Sequence, residues 1–461
     1  MKRLRPKMFG KTKHIHFVGI GGIGMSGLAT IMKNLSFTVT GSDLHSSEIT
    51  KRLKRIGIRI SYGHRRRNIA GADLVVYSSA IKQDNPELME ARTNNIPLIH
   101  RAELLAELTR TKFAICISGT HGKTTTTSLV SEVLQKSGLS PTTVIGGIVI
   151  GKTQATLGAG NYLVCEVDES DKSFLRVYPS FAVITNIEAE HLDYYKDLDE
   201  IKEHFGHFAN HVPFWGSVFL GVDSPVSMSI MENIRRQVIS YGFENCADLR
   251  AEDLQKYDFG VSFKVRYHNK IVGRFRINLP GRHNVANALA AIGVGLELGI
   301  GIGKIRGAID AFRGVHRRIE YIADVNGIRI FDDYGHHPTE IAVTLQTLRD
   351  YFPAQRIVAV FQPHRFTRTY HLFDQFAKSF LSADLVVVTE IYAAHEMPIP
   401  GVTGQALAKR LAREQNGIHF IDKIGRVLEF LKQTLKPGDV VVIQGAGDIN
   451  QVARQLLKEL K

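Results

Sequence analysis

Seven consecutive residues, Gly119, Thr120, His121, Gly122, Lys123, Thr124 and Thr125, have the types and spacing of a phosphate cradle. They follow an apolar run from Lys112 to Ser118 that reads as a buried strand. They lead into a segment whose Leu129, Val130, Val133 and Leu134 recur at helical spacing. In that setting backbone N–H groups and a helix N-terminus face an anion, and the Lys123 ammonium reaches the terminal phosphates. The Thr124 hydroxyl can hold Mg²⁺. The general pattern places a glycine where Ile117 stands, so the loop is a shortened one. The chemistry this predicts is that of ATP; an ordinary glycine turn is the alternative.

A second glycine run lies upstream. Gly19, Gly21 and Gly24 fit G-x-G-x-x-G, with Gly22 between them, after the strand-like His14 to Val18. A further strand, Phe37 to Thr40, ends near Asp43, the acidic residue that a dinucleotide fold uses on a ribose. Read alone this is an NAD site, yet the same physics suits any nucleotide diphosphate, because a pyrophosphate rests on a helix N-terminus. Ser78 follows a third strand, at the carboxyl edge where such sheets bind ligands. His64, in a nearby loop, reads as a solvated histidine.

Further along, Glu166 and His191 fall at the ends of strand-like runs and suit Mg²⁺ and water positioning. His204, His207 and His211 share a helix face, and a partly exposed face is preferred for them over a zinc site. Asn284 and Asn287 open a helix of small apolar residues, where they can cap it or read a base edge. Arg365 and Arg368 follow a strand and can grip a carboxylate or phosphate through forked hydrogen bonds; a structural salt bridge competes.

Strands and helices alternate along the whole chain, which predicts an α/β fold of three domains. These are an N-terminal Rossmann-like domain over 1–109, a central P-loop ATPase-like parallel sheet over 110–322 and a C-terminal Rossmann-like domain over 323–461. The 461 residues, 44% hydrophobic and 22% charged, are ordinary for a globular protein. A net charge of +13 is dispersed, with no basic stripe interleaved with aromatics, so no nucleic-acid partner is expected. No run approaches the roughly 20 apolar residues of a membrane span. The basic N-terminus lacks a small-residue cleavage site, so no leader is expected. Three scattered cysteines give no disulfide framework and fit a cytoplasmic location. Oligomeric state leaves no signature.

A diphosphate cradle, a triphosphate loop and paired arginines require one account. An oxidoreductase explains only the first and a P-loop motor only the second. A non-catalytic UDP-sugar sensor leaves the full set of reactive residues idle. A ligase that holds a nucleotide-linked acid, activates it with ATP and presents an amine explains all three. In the glycine motifs at 19–27 and 119–125, Glu166 to Asp171, Asn186 to Asp193, Gly281 to Asn284, Asp332 to Pro338 and Phe361 to Arg368, the chain resembles the Mur ligases over essentially its full length. The first and last two motifs point, within that family, to the addition of L-alanine.

The resemblance implies that ATP phosphorylates the lactyl carboxylate of UDP-N-acetylmuramate and that the amine of L-alanine attacks the acyl phosphate. It implies that Gly19, Gly21, Gly22, Gly24, Asp43, His64 and Ser78 hold the UDP part. The loop from Gly119 to Thr125 would hold ATP, with Lys123 on the transferred phosphoryl group. Thr124 and Glu166 would take Mg²⁺, and His191 a second Mg²⁺. His283, Asn284 and Asn287 would lie at the adenine, and Arg318 and Asp333 at phosphates and ribose. Tyr334, His336, Arg365 and Arg368 would form the alanine pocket, so that Lys123, His191, His336 and Arg365 stand nearest the chemistry. Several Mur ligases carry a carbamylated lysine downstream of the His-Leu-Asp element. Phe205 stands at the matching place here, so no carbamate is expected.

Overall fold

The computed structural model describes residues 10–147, 149–150, 155–190, 194–394 and 396–460. The chain falls into two compact units, one ending at Arg313 and one beginning at Gly314.

The first unit contains two sheets. One has five parallel strands in the order Arg59–Tyr62, Thr38–Asp43, His14–Val18, Leu74–Tyr77 and Leu98–His100. His14–Val18 is central and its last four residues are buried, as a strand covered on both faces must be. The chain leaves it in opposite directions, and the Gly19–Gly24 turn lies at that switch point.

The other sheet has ten strands. Its parallel core runs Gln237–Gly242, Ser217–Gly221, Phe181–Ile184, Phe113–Ser118, Tyr162–Glu166 and Thr142–Val144. Phe113–Ser118 is buried along most of its length and delivers the chain into the Gly119–Thr125 loop. Ile117 belongs to that strand, fully buried and paired with Glu166 and Val183, so the shortened loop begins only at Gly119. Helix Lys123–Lys136 follows. Past Gln237–Gly242 the sheet continues as an antiparallel meander, Leu249–Tyr257, Gly260–Tyr267 and Lys270–Ile277. This extension leaves no clear mark in the sequence, because its charged, half-exposed positions mask the alternation.

The second unit holds a six-stranded sheet in the order Glu320–Val325, Ile328–Asp333, Val440–Gln444, Ile357–Phe361, Leu385–Val388 and Ile418–Phe420. Only the first pair is antiparallel. Ile328, Ile330, Val358, Val360, Val441 and Ile443 form its core against helices Ile424–Thr434 and Asn450–Leu460. The carboxyl ends of Ile328–Asp333 and Ile357–Phe361 carry the two polar segments singled out in the sequence. No helix among the described residues is long and apolar enough to cross a membrane.

Candidate active site

The Gly119–Thr125 loop is held by the segment after Phe181–Ile184. Thr120 N–H donates to the Asn186 carbonyl at 3.0 Å, and His121 N–H to Asn186 Oδ1 at 2.9 Å. Glu188 N–H reaches Thr120 Oγ1 at 2.9 Å. Gly122, at φ +82°, caps helix Lys123–Lys136, and a Cβ there would stand 2.5 Å from Asn287 Oδ1. Only glycine meets both conditions.

Lys123 Nζ donates to the carbonyls of Gly119 at 2.6 Å and Thr120 at 3.1 Å, and pairs with Glu169 Oε1 at 2.7 Å. The ammonium is thereby folded over the loop, where an anion would meet it. Burial pushes the Glu169 carboxyl up to about 7, with Asp168 adding to the rise against the pull of Lys123. The Lys123 pKa is raised: burial works against its charge, but Glu169, Asp168 and Glu166 outweigh it. Beside it Thr124 Oγ1 donates to Glu166 Oε1 at 3.2 Å, and Gly146 N–H reaches Glu166 Oε2 at 2.9 Å. A hydroxyl and a carboxylate at this spacing are hard oxygen donors that fit a magnesium ion. Thr125 is buried behind them. His191 lies outside the described residues.

Asn284 and Asn287 do not cap their helix, Arg282–Glu297. Asn284 Nδ2 donates to the Pro280 carbonyl at 2.8 Å, and Asn287 Oδ1 accepts from Thr126 Oγ1 at 3.1 Å. Asn287 therefore fixes the helix that follows the Gly119–Thr125 loop. His283, one position before Asn284, is half-buried.

In the first sheet Gly19 N–H and Ile20 N–H both donate to the Ser42 carbonyl at 2.9 Å. Asp43 Oδ2 accepts from Gly21 N–H at 2.7 Å, so the loop's own acid occupies one of its donors. Gly22 and Gly24 have room around them. Ser78 is half-buried, and its neighbour Ser79 donates to Asp171 Oδ2 at 2.9 Å.

His64 is not the solvated histidine the sequence suggested. Its Nδ1 lies 3.1 Å from Ser42 Oγ and 3.5 Å from Glu87 Oε1, and Glu87 is fully buried. Glu87 also accepts from Ser42 Oγ and Asn68 Nδ2, both at 2.6 Å, and Arg65 N–H at 3.2 Å; His16 Nε2 lies 3.2 Å away. Burial alone would raise its pKa, but hydrogen bonds from His16, His64, Ser42 and Asn68 hold it far below the ordinary carboxylate range. Nothing local in the sequence marked Glu87.

The three helix histidines do not converge on one point, although the His204 and His207 rings lie 6.2 Å apart. His204 Nδ1 lies 2.7 Å from the Glu200 carbonyl, His207 faces Glu203, and His211 stacks on Tyr178. Phe205 is buried against Phe174.

In the second unit the residues expected at the amino acid lie near two histidines. Tyr334 meets His336 edge-on with ring centroids 5.3 Å apart, and His336 lies 5.9 Å from His364. Arg368 approaches His364 Nδ1 at 3.3 Å. Burial pushes the His364 pKa down to about 4, helped by Arg368 and Arg365, so the ring is neutral at pH 7. Arg318 pairs with Glu340 at 3.2 Å and lies over the Tyr334 ring.

Asp333, expected near the ATP phosphates and ribose, is hydrogen-bonded within the second unit. It accepts from Ile319 N–H at 3.0 Å, Gly335 N–H at 3.1 Å, Thr344 Oγ1 at 3.0 Å and Gln444 Nε2 at 3.3 Å. His364 lies within the Phe361–Arg368 segment but had no role assigned from the sequence, and neither Tyr392, stacked on it, nor Glu396, 3.9 Å from Arg365 Nε, carries a local signal.

Three family descriptions match in order: the Mur ligase family catalytic domain over residues 14–113, the Mur ligase middle domain over 117–295 and the glutamate ligase domain over 317–447. The UDP-N-acetylmuramate–L-alanine ligase of Desulfatibacillum aliphaticivorans is 48% identical, over 98% of this chain and 99% of its own. The crystal structure of the UDP-N-acetylmuramate–alanine ligase of Thermotoga maritima superposes with a TM-score of 0.83 at 31% identity, over 97% of this chain and 99% of that one. A murein peptide ligase from Psychrobacter arcticus gives 0.73 at 25% identity, over 97% and 98%.

Proposed function

The chain belongs to the Mur ligase family, and from that premise we infer that it is the ATP-dependent enzyme that joins L-alanine to the lactyl carboxylate of UDP-N-acetylmuramate. ADP and phosphate are the other products, and the adduct is a peptidoglycan precursor. The observation that carries the ligase chemistry is the Lys123 ammonium folded over the Gly119–Thr125 loop beside Thr124 and Glu166. The match to alanine-adding relatives over nearly the whole chain supports the choice of amino acid.

In the first step a carboxylate oxygen attacks the γ-phosphorus of ATP and the bond to ADP breaks, giving an acyl phosphate. Two anions have to approach, so charge neutralisation and positioning dominate the catalysis. The loop N–H groups and Lys123 supply fixed positive charge where the transferred group passes. Thr124 and Glu166 would hold Mg²⁺, which offsets further phosphate charge when bound; His191 is the proposed ligand of a second ion. His283, Asn284, Asn287, Arg318 and Asp333 are assigned to ATP, with Asn287 and Asp333 acting through the elements they fix. In the second step the amine nitrogen of alanine attacks the acyl carbon, the C–O bond to phosphate breaks, and the nitrogen loses a proton. Tyr334, His336, Arg365 and Arg368 are assigned to the amino acid, the arginines to its carboxylate. Gly19, Gly21, Gly22, Gly24, Asp43, His64 and Ser78 are assigned to the UDP part. The reaction belongs in the cytoplasm, where ATP is at hand and free cysteines persist.

Phosphate release with ATP, Mg²⁺ and UDP-N-acetylmuramate, with and without L-alanine, tests the reading, together with the product mass. Alanine-dependent release and the alanyl adduct are expected. Release only with a preformed tripeptide would move the assignment to a murein peptide ligase.

A further inference from the structure

Arg365 has a backbone that a non-glycine residue rarely adopts, φ +72° and ψ 137°. It is the residue at which the chain turns from Ile357–Phe361 into helix Phe366–His371. Such a conformation persists only where its surroundings over-determine it, and here they do. Arg365 N–H donates to the Tyr392 carbonyl at 2.9 Å, and Tyr392 N–H donates to the Pro363 carbonyl at 2.8 Å. The Tyr392 ring stacks on His364, 9° from parallel with centroids 5.5 Å apart. One step further on, Glu396 holds Thr367 twice, accepting from its N–H at 3.0 Å and from its Oγ1 at 2.7 Å.

The Arg365 side chain completes the arrangement. Its Nε is buried and makes no hydrogen bond among the described residues, and it lies 3.9 Å from Glu396 Oε1. Glu396 therefore faces the Nε edge of the guanidinium, with both oxygens already taken by Thr367. It sets the plane of the group through charge and does not compete for the terminal fork, the half that a substrate carboxylate would grip in bidentate fashion. It also offsets part of the repulsion between the cations of Arg365 and Arg368.

We propose that Glu396 is a positioning residue for the amino-acid substrate: through Thr367 and the Nε edge it holds Arg365 in the strained conformation that aims the guanidinium fork at the alanine carboxylate. This rests on the assignment of Arg365 to that carboxylate. Glu396 touches no substrate and acts through Arg365, so its loss falls on alanine recognition and not on ATP or the UDP-substrate.

The test is steady-state kinetics on the full chain, varying each substrate in turn, for Glu396→Gln, Thr367→Val and Arg365→Ala. Folding of each variant is checked by its thermal shift with UDP-N-acetylmuramate. Glu396→Gln keeps the shape and removes the charge. It is expected to raise KM for L-alanine about tenfold, with KM for ATP and UDP-N-acetylmuramate within about twofold of the parent. Thr367→Val removes one strut of the clamp without touching a charge and is expected to raise the alanine KM about threefold. Arg365→Ala is expected to exceed both.

An unchanged alanine KM in Glu396→Gln, with a raised one in Arg365→Ala, would overturn the role of Glu396 and leave the alanine pocket standing. An unchanged alanine KM in Arg365→Ala would overturn the pocket assignment and Glu396 with it. A uniform loss across all three substrates would mark Glu396 as merely structural and also overturn the inference.

Discussion

The two glycine loops of the first unit arise from the same local pattern, a buried parallel strand that turns through glycines into a helix, yet they are finished differently. At Gly19–Gly24 the nearest charged partner is a carboxylate, Asp43, on a loop N–H. At Gly119–Thr125 it is an ammonium, Lys123, folded over the loop and paired with Glu169. Both loops are closely backed, but by different groups: a Cβ at Gly21 would stand 2.7 Å from the Asp43 carboxylate, and one at Gly122 would stand 2.5 Å from the Asn287 amide oxygen. A loop assigned only to holding a diphosphate needs N–H donors. A loop from which a phosphoryl group is transferred needs a fixed cation, oxygen donors for a metal and a backbone that does not yield.

The widest test of that contrast is Lys123→Ala. It should lower kcat by about 10³-fold or more while calorimetry finds UDP-N-acetylmuramate binding unchanged. Equal loss of both would mean that the loops do not divide the work. Gly122→Ala comes next, since it brings both a clash with Asn287 and a backbone strained at φ +82°. A rise in the ATP dissociation constant of about 10²-fold is expected by titration with a non-hydrolysable analogue. Asp43→Asn should weaken UDP-N-acetylmuramate binding by about tenfold and spare ATP; the opposite pattern would reverse the assignment of the loops.

A smaller effect concerns Glu169. Its pKa is raised to about 7 from 4.5, so the native state binds the extra proton in that window. The nucleotide-free protein should therefore lose stability as pH rises from about 4.5 to 7. Glu169→Gln should flatten that slope, by about 2 °C across the window in a melting scan. Smallest of all, Gly22→Ala, at φ −62° with ordinary contacts, should change UDP-substrate affinity by no more than about twofold.

Much of this was legible before any coordinates. Glycine turns after apolar runs mark strand-loop-helix units, because the period of the apolar residues and the backbone freedom of glycine are local properties. Ile117 in place of a glycine correctly signalled a short loop, since it is a strand residue. The reading went astray where a residue's meaning came from a distant partner. His64 looked solvated because Glu87, which faces it, lies 23 positions further along the chain, on helix Pro86–Thr93. Likewise, the four donors to Asp333 come from as far away as Gln444, which nothing near it in the sequence records.

The sequence alone determined the α/β class, the strand–glycine turn–helix unit that carries Lys123 and Thr124, and the family, because each is written in contiguous residues. The tertiary structure alone decided that Asn287 buttresses Gly122, that Glu169 holds Lys123 and that Glu396 faces Arg365. Those pairings join the ends of different strands and helices, and a parallel sheet brings such ends together by its strand order, which spacing along the chain does not record.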